Sequence, residues 1–421
     1  MNIVRFSRFD FNVKIFPFIL IIVSIIIDMI TGYTQHVLSF HFPSGIIFRG
    51  IILYITVSYI ITQPLSSIKI LSLSISFLYL ISLGIWIQSE DNFNLGTEIT
   101  YFSRIFYYIA LIAYFAKYRN LFDYCYLFKL LNIASVLVAL SLIFAYYTKT
   151  GVPTYDLGED IKVGTRGFFT AGNDLGLYCL IGFICTLYNL IYSRTWKQII
   201  CIILTATAVL LIASKTAILG VFLIAILFLF YIVFFNVPEL KIVRRVRLYI
   251  GIIFGSIIIL GGLMTFNFIQ KEPYLMERFS TDNALNPRED LMIAGVESIK
   301  NLKGTQLFIG RSIPGSFSYI GNVLKRGDRK KNVEAEIHDT LSAYGYLLGG
   351  LIILLFFYPL LSLIISYMKH KSFQNFLVLV SYCFFGGHAY LAGHAFTNVM
   401  VFPALCILYY SVYHDTAKNI R

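Results

Sequence analysis

The chain has 421 residues, 58% of them hydrophobic and only 13% charged, with a mean hydropathy of +0.75. Charged residues alone reach about a quarter of a soluble domain, so this composition excludes a soluble globular protein and implies a polytopic membrane protein. The formal net charge is +12, yet the Lys and Arg are scattered over many short segments instead of interleaving with aromatics on one polar face, which argues against nucleic acid as a partner.

Twelve apolar runs are long enough, or nearly so, to span as helices: roughly 14–30, 44–62, 68–88, 99–116, 127–147, 173–193, 197–213, 216–236, 248–268, 340–367, 374–392 and 395–413. The fold class is therefore all-α, with about twelve transmembrane helices and a large external loop between the ninth and tenth. The domain reading follows: 1–267 holds spans one to nine, 268–338 the external loop and 339–421 the last three spans. The first run is too long for a signal-peptide core and has no small-residue cleavage pattern, so Arg5, Arg8 and Lys14 are read as holding the N-terminus inside. Alternate loops carry Lys69, then Lys117 and Arg119, then Arg194 and Lys197, then Arg244, Arg245 and Arg247, whereas the intervening ones are poor in cations or acidic. The positive-inside rule then predicts both termini cytoplasmic and the polar segments Thr148 to Gly172 and Phe268 to Ile337 outside. The six cysteines lie in or beside apolar runs without CxxC or Cys/His spacing, which points to packing and away from zinc or redox work.

Four places carry candidate chemistry. The outward loop before the sixth span brings Arg166, Asn173 and Asp174 to a span mouth; Arg166 serves equally well as an interfacial anchor and Asn173 as a helix cap. Lys215, in ASKTAILG, stands almost alone among apolar residues and suits an anionic ligand, or else snorkels at the end of a helical hairpin. In the long loop, Asn286-Pro287-Arg288-Glu289 reads as a helix start, which would set Arg288 beside free backbone N–H groups as an anion seat. His338 follows where the loop meets the tenth span, with Glu334, Glu336 and Asp339 around it, and an ordinary pKa near 6.5 suits it to proton transfer. The acids are solvated loop residues on the plain reading and orienting groups for His338 on the functional one. His388 and His394 read as packing or interfacial residues.

The order of TRGFFTAGNDLG, ASKTAILG, NPRED in a long external loop and EAEIHDTLSAYGYLLGG resembles the O-antigen ligase and polymerase superfamily of bacterial envelopes, over roughly the second half of the chain. The resemblance implies a GT-C-like membrane glycosyltransferase of the bacterial inner membrane. Its donor would be a glycan on undecaprenyl diphosphate, and transfer would be inverting, metal-independent and without a cofactor. It implies catalytic roles for His338 and Arg288, and diphosphate contacts from Arg288, Arg166 and Lys215. Lys215 stands where the family pattern has arginine, which keeps the charge but loses the bidentate fork. The implied function is a polymerase extending a lipid-linked repeat unit, with a chain-length regulator as a partner. A ligase acting on lipid A core and a polysaccharide flippase are the alternatives.

Overall fold

The computed structural model describes residues 11–40, 42–61, 67–90, 93–156, 162–193, 195–235, 244–271, 281–324, 333 and 335–418. Fifteen helices follow one another there: α1 (Phe11–His36), α2 (Ser44–Ile61), α3 (Ser67–Ser89), α4 (Leu95–Tyr118), α5 (Tyr124–Thr148), α6 (Gly172–Ser193), α7 (Trp196–Leu211), α8 (Lys215–Phe234), α9 (Arg244–Lys271), α10 (Thr281–Lys300), α11 (Gln306–Ile309), α12 (Ser312–Val323), α13 (Glu336–Lys369), α14 (Phe373–Leu391) and α15 (Phe402–Lys418). The one sheet among the described residues is a hairpin of two-residue strands, β1 (Tyr155–Asp156) and β2 (Lys162–Val163). Seven helices are long and apolar enough to cross a membrane, and four shorter apolar ones accompany them. The chain is an all-α polytopic membrane protein.

Each apolar run falls on a helix, and polar side chains mark the starts. Asn94 accepts from Thr97 N at 2.9 Å to cap α4, Asp123 caps α5 through Tyr126 N, and Ser214 caps α8 through Ala217 N. Inside the spans, hydroxyls are satisfied by their own preceding turn, as with Thr56 on Ile52 O, Ser135 on Leu131 O and Ser381 on Leu377 O. Two boundaries differ from the sequence expectation. The last span begins at Phe402, not near 395, because residues 392–401 form a loop that folds back into the protein. The helix expected to start at Asn286 starts at Thr281, so Arg288 is its eighth residue. The backbone N–H groups there are engaged in the helix, and the helix terminus is removed from the anion seat expected at Arg288.

Consecutive spans alternate in direction, so the ends of α1, α3, α5 and α7 share one side of the molecule with the starts of α2, α4, α6 and α8. The loops on this side are tied together. The 149–171 loop lies on α1 where Gly32 leaves no Cβ: one built there would be 1.8 Å from Phe168 O. It is held on the other side by Thr165 N donating to Leu211 O at 2.8 Å. The stacked rings of Tyr108, Phe356 and Phe396, with centroids 4.6 and 4.2 Å apart, join α4, α13 and the 392–401 loop into one core.

The start of α13 crosses the α11–α12 turn at closest approach through two glycines. Gly345 has φ +68° inside α13, and a Cβ there would lie 2.6 Å from Gly310 N; Gly310 has φ +75°, and its Cβ would lie 2.2 Å from Ala343 O. Both positions require glycine for φ and for space. Gly345→Ala should therefore destabilise the protein by more than about 2 kcal/mol, read as a fall in Tm in detergent; a Tm within about 1 °C of the native protein contradicts this packing.

Two acids seat α12. Glu98 Oε2 accepts from Ile313 N at 2.7 Å, and Ser312 Oγ donates to Glu90 Oε2 at 2.5 Å. Burial pushes the Glu90 carboxyl up to about 7, against smaller opposing effects of Ser312 and Arg311. The fold thus favours protonated Glu90. Its contribution is fully present below the ordinary carboxylate range and fades as pH rises through about 7. The native protein should lose more Tm than Glu90→Gln between about pH 5.5 and about pH 8, and equal slopes would remove Glu90 from this account.

Candidate active site

At the loop-rich end, α1, α2, α4, α6 and the 149–171 and 392–401 loops enclose a chamber of about 790 Å³. Three arginines line it: Arg49 from α2, Arg104 from α4 and Arg166 from the loop. Arg49 lies five residues into α2, one turn past Gly45, where the α1–α2 hairpin is closed by Thr31 Oγ1 against Ser44 Oγ at 2.6 Å. Its guanidinium grips both carboxylate oxygens of Asp28 at 2.5 and 2.6 Å. Arg104 lies nine residues into α4, so it projects from roughly 14 Å below that helix start.

Arg166 is set by its loop. Its N–H donates to Val152 O at 2.9 Å, Val152 N returns a bond to Gly167 O at 2.8 Å, and Nη1 reaches Thr170 O at 2.6 Å. Its Nε is buried without a hydrogen-bond partner. Burial lowers the Arg166 pKa from the usual arginine value, which is high enough for the charge to persist at neutral pH. Arg166 thus brings a positive charge to the chamber wall.

Asp174 joins the chamber from the first turn of α6, within electrostatic reach of Arg104 and Arg49. Its Oδ1 is buried and accepts no hydrogen bond, and its backbone carbonyl takes the Asn398 side-chain N–H at 2.8 Å. That bond ties the 392–401 loop to α6. The loop is also held by Glu336, whose Oε2 accepts from Phe396 N. His394, in this loop at φ +65°, lines both the chamber and a narrow adjoining cleft that contains Glu336, Asp339 and Tyr344.

The structure divides the residues singled out from the sequence. Arg166 lies in the chamber, and Glu336 and Asp339 in the cleft beside it. His338 does not join them. At about 100° per residue it sits roughly opposite Glu336 and Thr340 and about a quarter turn from Asp339 on α13, where it lines a separate cavity of about 500 Å³ with Met292, Val296, Glu297, Lys300 and Tyr390. Its Nδ1 is buried there without a partner. Arg288 is one helical turn before Met292 on α10, and its side chain lies outside the described residues, as does Glu334. Lys215 is the first residue of α8, next to its Ser214 cap, and is not among the residues lining the chamber.

Sequence reading missed Asp28, Arg49 and Arg104 and assigned His394 to packing. The signal was present: each of the first three is an ionisable residue within an apolar run, and such residues mark functional sites far more often than lipid contacts. With the geometry in place, the comparison with known families is informative. A model of the family described as "O-antigen ligase like membrane protein" matches residues 11–280, and the chain belongs to that family. No curated protein matches the chain. The matched region takes in α2, α4 and the 149–171 loop with their three arginines, and ends before His338.

Proposed function

We propose that this O-antigen ligase-like protein is a polysaccharide polymerase, moving a growing glycan from undecaprenyl diphosphate to the non-reducing end of a lipid-linked repeat unit. Membership of the family supports membrane glycan transfer in O-antigen biosynthesis; the donor, acceptor and site roles are our reading. The observation that carries it is the chamber with Arg49, Arg104 and Arg166. A glycosyl diphosphate reacts by loss of a dianionic leaving group, and preorganised guanidinium groups in a partly dry site stabilise the charge as it develops. The volume of about 790 Å³ suits a diphosphate with the first sugars attached.

In this reading Arg49 is held in place by Asp28, Arg166 offers the unpartnered Nε, and Arg104 faces the same space from α4. The loop-rich end faces the periplasm, with both termini cytoplasmic. The second cavity, with His338 and Lys300 and with Arg288 on the same helix, supports a polymerase over a ligase, because both polymerase substrates carry a diphosphate. Arg288 assists at the acceptor diphosphate, and His338, with Glu336, Asp339 and Glu334 nearby in sequence, belongs to the acceptor side. A ligase delivering the glycan to lipid A core is the alternative that the family's description favours. Transfer is inverting and independent of metal.

Purified protein in liposomes, given lipid-linked repeat units and lipid A core together, distinguishes these outcomes on a gel. A ladder of lipid-linked products is expected; a single glycan transfer to lipid A core establishes the ligase, and unmodified substrates crossing the bilayer establish a transporter. Arg104→Gln and Arg166→Gln should each weaken donor binding by roughly 10-fold or more, the scale of a lost charged hydrogen bond, whereas Lys215→Arg should be tolerated. Native donor affinity in both glutamine variants would take the diphosphate out of this chamber.

A further inference from the structure

Two carboxylates line the arginine chamber, and the structure treats them differently. Asp28 is committed: both of its oxygens are taken by Arg49 at 2.5 and 2.6 Å. Asp174 lines the chamber without an ion pair to either arginine, its Oδ1 is buried and unbonded, and Asn398 binds its main-chain carbonyl and leaves the side chain free of that task. A carboxylate whose only function was to balance Arg49 and Arg104 would be expected to pair with one of them, as Asp28 does. A first-turn acid also complements the α6 dipole.

On the reading that the chamber seats the donor diphosphate, we infer that Asp174 is the general base that takes the proton from the acceptor sugar hydroxyl. The acceptor oxygen attacks C1 of the donor glycan and forms the new C–O bond. Its O–H bond breaks with the electrons remaining on oxygen, and the proton passes to the Asp174 carboxylate. The bond from C1 to the diphosphate oxygen breaks with its electron pair going to the leaving diphosphate, whose charge Arg49, Arg104 and Arg166 take up. The proton leaves to water as products depart. The other titratable groups facing this space are Tyr101, Arg104 and Tyr107 from α4, Tyr155 and Arg166 from the 149–171 loop, His394 from the 392–401 loop, and Asp28 and Arg49. Among the carboxylates and the imidazole, Asp28 is fully paired. His394 also lines the adjoining cleft that contains Glu336.

Azide separates this role from a structural one, because it is a nucleophile that carries no proton to remove. The experiment uses full-length protein in liposomes with the lipid-linked glycan as donor, measuring donor binding, transfer to a sugar acceptor and release of lipid diphosphate. Asp174→Asn should bind donor within about twofold of the native protein and transfer roughly 10² to 10⁴-fold more slowly. Asp174→Ala with azide should release lipid diphosphate and form a glycosyl azide of inverted anomeric configuration, which the native protein forms little of while acceptor is present. Near-native transfer by Asp174→Asn overturns the inference, as does a failure of azide to restore release in a variant that still binds donor. Azide rescue of His338→Ala in place of Asp174→Ala would assign the base to His338. If the native protein neither binds nor consumes the donor, the polymerase reading itself is lost, and the role of Asp174 with it.

Discussion

A charge placed among apolar helices costs several kcal/mol of desolvation unless a partner or a ligand offsets it, and this constraint organises the loop-rich end of the protein. The bidentate Asp28–Arg49 bridge is the primary case. It fixes the α1–α2 hairpin and leaves the guanidinium edge toward the chamber. Arg104 and Asp174 sit nearby without such a closed pair, and Arg166 holds a buried Nε that no protein group satisfies. Three cations against two carboxylates in the chamber support the proposed anionic ligand.

The rest of the fold serves to hold the loops that complete this space. Loop 149–171 is pressed between Gly32 of α1 and the α7–α8 turn, which delivers Arg166. Loop 392–401 is fastened by Glu336, by Asn398 on α6 and by the Tyr108, Phe356 and Phe396 stack, which delivers His394. The glycine crossing at Gly310 and Gly345 lets the α11–α12 turn lie against α13 and sets the start of α13, where Glu336 and Asp339 face the cleft and His338 faces away. One turn of α13 thus presents side chains to two different cavities.

Fold class and span positions were legible in the sequence because hydropathy alone decides them, and the run at 395–413 failed only where an apolar loop imitates a helix. The AFTNVM stretch is apolar since it packs on aromatics, not since it spans. The chamber was only partly legible. Arg166 was found from its place at a span mouth. Asp28, Arg49 and Arg104 were absorbed into apolar runs by window averages, although a lone charge in a span is the stronger signal. The separation of His338 from Glu336 and Asp339 follows from helix geometry once the start of α13 is known to be helical, and from the sequence that segment read as a loop end. Resemblance pointed to the right family but was drawn over the second half of the chain, whereas the family match covers 11–280.

The central claim is that the arginine chamber holds the diphosphate of a lipid-linked donor. It is tested most directly by a cryo-electron microscopy map of the protein in nanodiscs with a non-transferable lipid-linked glycosyl diphosphate. The account predicts density for the two phosphates among Arg49, Arg104 and Arg166, with the first sugar beside Asp174. Phosphate density in the cavity of His338 and Lys300, with the arginine chamber empty, would contradict it.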